Sequence, residues 1–208
     1  MYKPIDILIE ESIIEHVKET FEERTEIHVA DLTTCLTKSY FTKKYGLKFS
    51  RNTAYWVLFG DYIHNIILPR LAKKLNGKYE VETIYEHDNV QIGAKADIIT
   101  DKEIYELKSC RYLPKEPYEH HIEQINFYLY VFERNLGNII YIRRDNSDVR
   151  VFRVYPSIEL FFKTLAKAKI LKRAIDQDKP PKPCIKDDFR KFLCRDCQYN
   201  LRCPYYFI

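Results

Sequence analysis

The sequence predicts an α/β protein in which a small sheet lies between helices and a short cysteine-rich tail follows. Apolar residues keep a helical period at the start of the chain, and the period changes to that of strands between residues 79 and 109. The segment 184–208 holds four of the six cysteines. At about 100–200 residues per domain, 208 residues allow one large domain or two small ones.

Several segments have the apolar spacing of amphipathic helices. Asp31 is a suitable N-cap for the second of them, Gly46 a suitable end, and Asn76-Gly77 closes the third. The last helix is rich in lysine, and we expect Lys167 to lie on its exposed face with its other lysines. The predicted helices are 7–24, 31–45, 53–75, 117–134 and 157–178.

Other segments alternate or are rich in β-branched and aromatic residues, as strands are. The turn Thr100–Glu103 joins the second strand to the third, and Asn146-Ser147-Asp148 joins the last two. A helix separates the third strand from the fourth. The predicted strands are 79–86, 90–99, 104–109, 139–143 and 149–154.

The composition excludes several classes of protein. A net charge of +4 is too small for a protein that holds nucleic acid by overall charge alone. There are five glycines and no phosphate-binding G-x-G-x-x-G or G-x-x-x-x-G-K-[ST] motif. The chain shows neither a signal pattern nor an apolar run long enough to span a bilayer, so we expect a cytoplasmic (intracellular) protein with no membrane partner. The abundance of Lys, Glu and Ile is typical of a thermophile.

Two carboxylates are predicted to face each other on the second and third strands. A hairpin centred on Asp101-Lys102 places Asp97 opposite Glu106, with Cβ atoms about 4.5–5.5 Å apart. Lys108 shares their face. A divalent cation would relieve the repulsion, because Mg²⁺ and Mn²⁺ prefer carboxylate oxygens. The alternative is a solvent-facing pair neutralised by lysines. The opposite face carries apolar residues expected in the core: Ile92, Ala94, Ala96, Ile98, Tyr105 and Leu107.

Two helices carry further polar candidates. His64 lies one turn after Gly60, which we expect to let another backbone approach that face. Gln124 and Tyr128 are four residues apart and therefore share a helix face. Each feature alone is common among ordinary surface residues.

The tail has the spacing of a metal or cluster site. Cys194, Cys197 and Cys203 form C-x₂-C-x₅-C, and a tetrahedral site needs a fourth ligand. Spacing alone favours Cys35 and Cys184 equally and does not separate zinc from an iron–sulfur cluster.

Together these motifs resemble the RecB-like PD-(D/E)XK nucleases with an iron–sulfur domain, most of all the CRISPR-associated exonuclease family. The resemblance runs from about residue 28 to residue 208. It implies a restriction-endonuclease-like mixed sheet flanked by helices. It also implies an N-terminal helical segment 1–52 with one cluster cysteine, a nuclease core 53–179 and an iron–sulfur tail 180–208 that packs on 1–52. Cys110 and Cys184 would stay outside the cluster. The ligands of the implied 4Fe–4S cluster are Cys35, Cys194, Cys197 and Cys203.

The same resemblance assigns the active site and the reaction. It implies that His64, Asp97, Glu106 and the Leu107 carbonyl bind Mn²⁺ or Mg²⁺. Lys108 would activate water, while Gln124 and Tyr128 orient DNA or the lysine. The expected activity is that of an exonuclease on single-stranded DNA or overhangs, with added endonuclease activity.

The pathway and the partners are less defined. The expected role is either CRISPR adaptation or the processing of viral or host DNA. The expected partners are other CRISPR-adaptation or recombination proteins, and an oligomer is possible. Leu36-Thr37 replaces a common Pro-Arg element, Ala94 replaces a common Gly, and residues 1–27 add a helix, so the subfamily stays open. The alternatives are a nucleic-acid-binding adaptor with a vestigial site and a zinc-stabilised structural protein.

A mixture of basic and aromatic residues suggests where single-stranded DNA could bind. The alternative is that its aromatic side chains belong to the core. The residues are Lys38, Lys43, Lys44, Lys48, Arg51, Tyr40, Phe41, Tyr45 and Tyr55.

Overall fold

A mixed six-stranded sheet flanked by helices forms the protein, which confirms the predicted α/β class. The computed structural model describes residues 4–20, 26–47, 51–183, 191, 193–195 and 197–206. In chain order the elements are α1 (Ile5–Thr20), β1 (Ile27–His28), α2 (Val29–Leu32), α3 (Leu36–Tyr45), α4 (Arg51–Leu75), β2 (Lys78–His87), β3 (Val90–Ile99), β4 (Glu103–Cys110), α5 (Glu119–Val131), β5 (Leu136–Arg143), β6 (Val149–Val154) and α6 (Ile158–Asp176). A single 3₁₀ turn, Asn200–Arg202, lies in the tail.

The strand order is β1-β3-β4-β5-β6, and β2 pairs with β3. Strand β4 runs parallel to β5, and α5 is the crossover that a parallel pair requires. Strands β1 and β4 both pair with β3. Strand β1 pairs with Ile92 and Gly93, and β4 pairs with Ile98 and Ile99. The sheet is therefore open beside Asp97, between these two pairings.

The predicted hairpin register is confirmed, but the paired part is short. Ile98 pairs with Tyr105 and Ile99 with Ile104, as a hairpin centred on Asp101-Lys102 requires. The ladder stops before Asp97, whose carboxylate instead accepts the backbone N–H of Leu107. Asp97 thus satisfies a donor that a longer ladder would have used.

The core has two parts, one on each side of the sheet. Leu68 and Ala72 of α4 pack with Ile98 and Leu107, while helices α5 and α6 cover the larger part. The prediction that the apolar hairpin residues belong to the core is confirmed, and they divide between its two parts. Tyr105 packs with the α4 side, whereas Ile92, Ala94 and Ala96 are buried in the larger part.

The second predicted helix is two helices in the structure. Helix α2 starts at Val29 with His28 as its N-cap, and α3 starts after Cys35. Asp31 is therefore not an N-cap: its carboxylate accepts the backbone N–H of His28 at 2.9 Å, as the third residue of a capping box does. The short strand β1, which the sequence did not predict, sets this earlier start.

Helix α6 buries one of its lysines. Lys167 is 5 % exposed and pairs with Glu123 of α5, which Lys163 also contacts at 2.6 Å. The prediction of an exposed Lys167 was wrong, because Glu123 supplies the countercharge that a buried ammonium needs.

Residues near both ends of the chain are held together by side-chain hydrogen bonds. Thr37 Oγ1 donates to the Pro181 carbonyl at 2.7 Å, and Tyr40 Oη donates to Asp178 at 2.8 Å. Tyr199 of the tail donates to the carbonyl of Gly46. Across the described part of the chain, no helix combines the length and apolarity that crossing a bilayer demands.

Candidate active site and cysteine pocket

Four of the predicted catalytic side chains form one hydrogen-bond network between β4 and α5. Lys108 Nζ donates to Glu106 Oε1 at 2.8 Å and to Gln124 Oε1 at 2.9 Å. Gln124 Nε2 donates to Glu106 Oε1 at 3.1 Å and to Tyr128 Oη at 2.9 Å. The alternation of β4 turns Glu106 and Lys108 to the same side, and the helical spacing brings Gln124 and Tyr128 over them. The network fixes the position of the lysine.

The second oxygen of Glu106 is buried without a hydrogen-bond partner among the described residues. Glu106 is 2 % exposed, so an orphaned anionic oxygen there is costly. A hard cation fits such an oxygen. No three His, Cys, Asp or Glu side chains in the described ranges form a compact ligand group. Mg²⁺ suits the arrangement all the same, because it commonly takes one or two carboxylates and keeps several waters.

The other predicted ligands gather at the opening beside β3. Asp97 Oδ2 lies 2.6 Å from the backbone nitrogen of Leu107 and 3.8 Å from His64 Nε2. His64 Nε2 is also 3.3 Å from the Leu107 carbonyl oxygen. Helix α4 thus brings its histidine to the place where the β3–β4 ladder ends.

Burial sets the ionisation of these groups. It raises the pKa of Asp97 to about 6, and burial together with the charge of Asp97 raises the pKa of Glu106 to about 7. Burial also lowers the pKa of His64, which favours the neutral imidazole that a metal needs. For Lys108, burial lowers the pKa, but the attraction of Glu106 and Asp97 outweighs it and the net direction is upward. A cation would stabilise the two carboxylates in their charged form.

The solvent-facing alternative for the carboxylates was wrong, since Asp97 is only 8 % exposed. Of the two neighbouring lysines, Lys95 contacts Glu80 at 3.3 Å and Glu82 at 3.5 Å, while Lys108 contacts Glu106 at 2.8 Å. The expected backbone approach at Gly60 was also wrong: a Cβ built there meets no atom of the described residues within 4 Å.

Two histidines near the network were not predicted. His121 Nδ1 lies 2.7 Å from Tyr141 Oη, and the rings of His120 and His121 are 4.0 Å apart. Burial, followed by the charge of Lys108, lowers the pKa of His120 to about 4. The available signal was the His-His pair just before Gln124, at the start of a predicted helix.

The proposed basic and aromatic patch is exposed only in part. Tyr40 and Phe41 are buried, which confirms for these two residues the alternative that the aromatic side chains belong to the core, whereas Tyr45 and Tyr55 are exposed. Lys44 pairs with Asp178, and Lys43 lies 3.2 Å from Asp31. Lys48 and the side chain of residue 51 lie outside the described residues.

All four predicted cluster cysteines line one pocket. Cys35 at the start of α3 faces Cys194, Cys197 and Cys203 of the tail across it. Burial, and more weakly the neighbouring thiols, raise the pKa of Cys197 and of Cys203. Their sulfurs are not gathered into a compact ligand group.

The two remaining cysteines have different positions. Cys110 ends β4, and its Sγ lies 3.6 Å from the carbonyl oxygen of Ile142, so it is not a lining residue of the pocket. Cys184, the alternative fourth ligand, lies outside the described residues.

The chain is similar to several known proteins, although no model of a known protein family matches it. It is 29 % identical over 153 residues to the CRISPR-associated exonuclease Cas4 of Saccharolobus solfataricus, covering 67 % of this chain and 74 % of that protein. The crystal structure of SSO0001 superposes with a TM-score of 0.72 at 21 % identity, over 99 % of this chain and 98 % of the other.

Two exonuclease structures share the fold at lower similarity. A phage-related exonuclease from Haemophilus somnus has a TM-score of 0.55 at 9 % identity, over 73 % of this chain and 94 % of the other. The alkaline exonuclease of Laribacter hongkongensis has a TM-score of 0.52 at 10 % identity, over 81 % and 93 %. The chain therefore resembles RecB-like nucleases of the Cas4 kind, as its motifs predict.

Proposed function

We propose that this protein is a metal-dependent DNA nuclease, an exonuclease on single-stranded DNA or overhangs with added endonuclease activity. The observation that carries the proposal is the network of Glu106, Lys108 and Gln124 beside an orphaned carboxylate oxygen. Buried side-chain oxygens in folded proteins nearly always have a hydrogen-bond partner, so a carboxylate oxygen without one favours a bound cation at this position. The similarity to the Cas4 exonuclease supports the same reaction and a role in CRISPR adaptation.

In this proposal the residues beside β3 would hold Mn²⁺ or Mg²⁺: the Asp97 and Glu106 carboxylates, the Leu107 carbonyl and His64. The bound cation would polarise the scissile phosphate and lower the pKa of a water ligand. Lys108 uses two of its three N–H donors within the network, so the third can be donated to water or to a phosphate oxygen. Gln124 and Tyr128 hold the lysine in this position.

The cysteine pocket supports a second part of the proposal. A 4Fe–4S cluster would be held by the thiolates of Cys35, Cys194, Cys197 and Cys203. Burial raises the pKa of the Cys197 and Cys203 thiols, so these two would lose their protons only when the cluster binds. The cluster would fasten the tail to α3. Absorbance near 400 nm in anaerobically purified protein would distinguish it from zinc, which is colourless.

The test is cleavage of end-labelled single- and double-stranded DNA with Mn²⁺, Mg²⁺ or a chelator. We expect metal-dependent products from single strands, and the order of products gives the polarity. Lys108→Ala should stop cleavage, whereas the matched control Lys172→Ala should not, because Lys172 lies on α6 and pairs with Asp176. Cleavage by Lys108→Ala at the wild-type rate would exclude this site.

A further inference from the structure

Trp56 and Arg144 form a stacked pair beyond the candidate active site. The Arg144 guanidinium carbon lies 3.7 Å from the centre of the Trp56 ring, while the indole side chain keeps 44 % exposure. The backbone N–H of Arg144 donates to the carbonyl of Cys110 at 3.0 Å. Because Cys110 ends β4 and Arg144 follows β5, the pair lies at the carboxyl ends of two parallel strands.

A second arginine and a second aromatic ring lie at the same edge. The Arg111 guanidinium is 5.2 Å from the ring centre of Tyr112, which is 64 % exposed. Within the part of the chain that the structure describes, neither Arg111 nor Arg144 is ion-paired with a carboxylate. Uncompensated guanidinium groups beside exposed rings are the surface that a single nucleic-acid strand requires.

Helix α4 connects this edge to the candidate active site. Helix α4 carries Trp56, Gly60 and His64 at intervals of four residues. Each of them is rotated about 40° around the helix axis from the one before, so the three lie along one side of the helix. A Cβ built on Gly60 meets no atom of the described residues within 4 Å, so there is space beside the helix at this position, between the ring and the histidine. Eight helical residues span about 12 Å. Along β4, the three residues from Lys108 to Arg111 span about 10 Å.

We propose that Trp56, Gly60, Arg111, Tyr112 and Arg144 form a stacking surface for one strand of DNA. A base stacks on Trp56, whose ring Arg144 holds in place, and the two arginines contact phosphates. The strand then passes over Gly60 to the candidate active site. A base inside a duplex cannot stack on the ring, so this surface selects single strands. The inference rests on the proposed nuclease function and names how its substrate is recognised.

The chain carries its own reporter of this contact, because Trp56 is its single tryptophan. Titration with fluorescein-labelled oligodeoxythymidylate in EDTA measures binding by anisotropy while the protein fluorescence reports Trp56. We expect quenching of Trp56 in step with the anisotropy, and no quenching by a blunt duplex. Trp56→Ala should weaken binding about 5- to 150-fold, the range for losing one stacked base.

Matched variants separate stacking from general damage. Gly60→Leu should weaken binding without unfolding the protein, because the added side chain enters open space. Tyr62→Ala should bind normally, since Tyr62 is 63 % exposed on another side of the same helix. Arg144→Ala should weaken binding, whereas Arg153→Ala on β6 should not.

Hydrolysis of bis(p-nitrophenyl) phosphate separates this inference from the proposed function, because so small a diester reaches only the active site. Trp56→Ala should hydrolyse it at the wild-type rate. Anisotropy without quenching, or equal affinity of Trp56→Ala and wild type, overturns the stacking surface. Absence of binding overturns it too. Failure of the wild type to hydrolyse the small diester with Mn²⁺ counts against the nuclease itself.

Discussion

Replacing Lys108 by methionine tests whether the lysine balances the charge of Glu106. The substitution keeps the length of the side chain but leaves a carboxylate that is 2 % exposed without its cation. Breaking a buried ion pair from one side costs about 3–5 kcal/mol. Lys108 keeps 22 % side-chain exposure, and Glu106 can take up a proton because its pKa is already about 7. We therefore expect a loss of about 2–3 kcal/mol at pH 8.

The double variant Glu106→Gln/Lys108→Met removes both charges at once. Because no buried charge is then left alone, most of the stability should return. Both variants should lose at least about 10²-fold in cleavage, the usual cost of removing a group that moves a proton or stabilises developing charge. Stability and activity would thus respond differently to the second substitution.

Thermal unfolding of the metal-free protein, followed by circular dichroism at pH 8, measures the first effect. For a chain of 208 residues the loss corresponds to a fall of about 5–10 °C in the melting temperature. Single-turnover cleavage of a labelled single strand with Mn²⁺ measures the second effect. A double variant as unstable as Lys108→Met would refute the charge argument, and wild-type cleavage by either would refute the catalytic one.

Three further predictions concern other parts of the molecule. Burial raises the pKa of Glu106 to about 7, whereas a glutamate in an unfolded chain has a pKa of about 4.3. Its contribution to stability is therefore complete below about pH 4.3 and is lost as the pH rises through 7. Glu106→Gln should flatten this part of the pH–stability curve of the metal-free protein, and an unchanged curve would contradict the argument. Cys35→Ser should abolish the expected absorbance near 400 nm while Cys110→Ser retains it, and the reverse result would exclude the pocket as the cluster site. Lys167→Met should lower the free energy of unfolding by about 1–3 kcal/mol in urea titrations, because Glu123 keeps only its partly exposed contact with Lys163; an unchanged midpoint would show that the pair contributes nothing.

The sequence predicts the parts of the site that depend on local periodicity. The hairpin turn fixes the pairing of Ile98 with Tyr105, alternation puts Glu106 and Lys108 on one side, and helical spacing joins Gln124 to Tyr128. Each relation spans fewer than ten residues or crosses a single turn. Geometry of this kind follows from backbone repeats alone.

Relations between distant segments are much harder to predict from one sequence. Nothing in the local sequence indicates that β1 pairs with one end of β3 while β4 pairs with the other end of the same edge. The opening beside Asp97, between these two pairings, was therefore not predicted. Lys167 was expected in solvent because its countercharge, Glu123, lies on another helix. Gly93 shows the same difficulty: an added Cβ would come within 2.6 Å of the His28 ring, 65 residues earlier in the chain.

The cysteine pocket joins positions almost at opposite ends of the chain. A cluster bound there would close a loop of roughly 160 residues, and cross-linking a loop of about 100 residues already removes unfolded-state entropy worth about 4.7 kcal/mol in the chain-entropy model. Such a cluster would act on the unfolded chain as a covalent staple does, limiting its freedom rather than adding contacts to the native state. Strands β2 to β6, which carry most of the candidate active site, lie inside that loop, so oxidative loss of such a cluster would expose them to unfolding and proteolysis even though none of their side chains had changed.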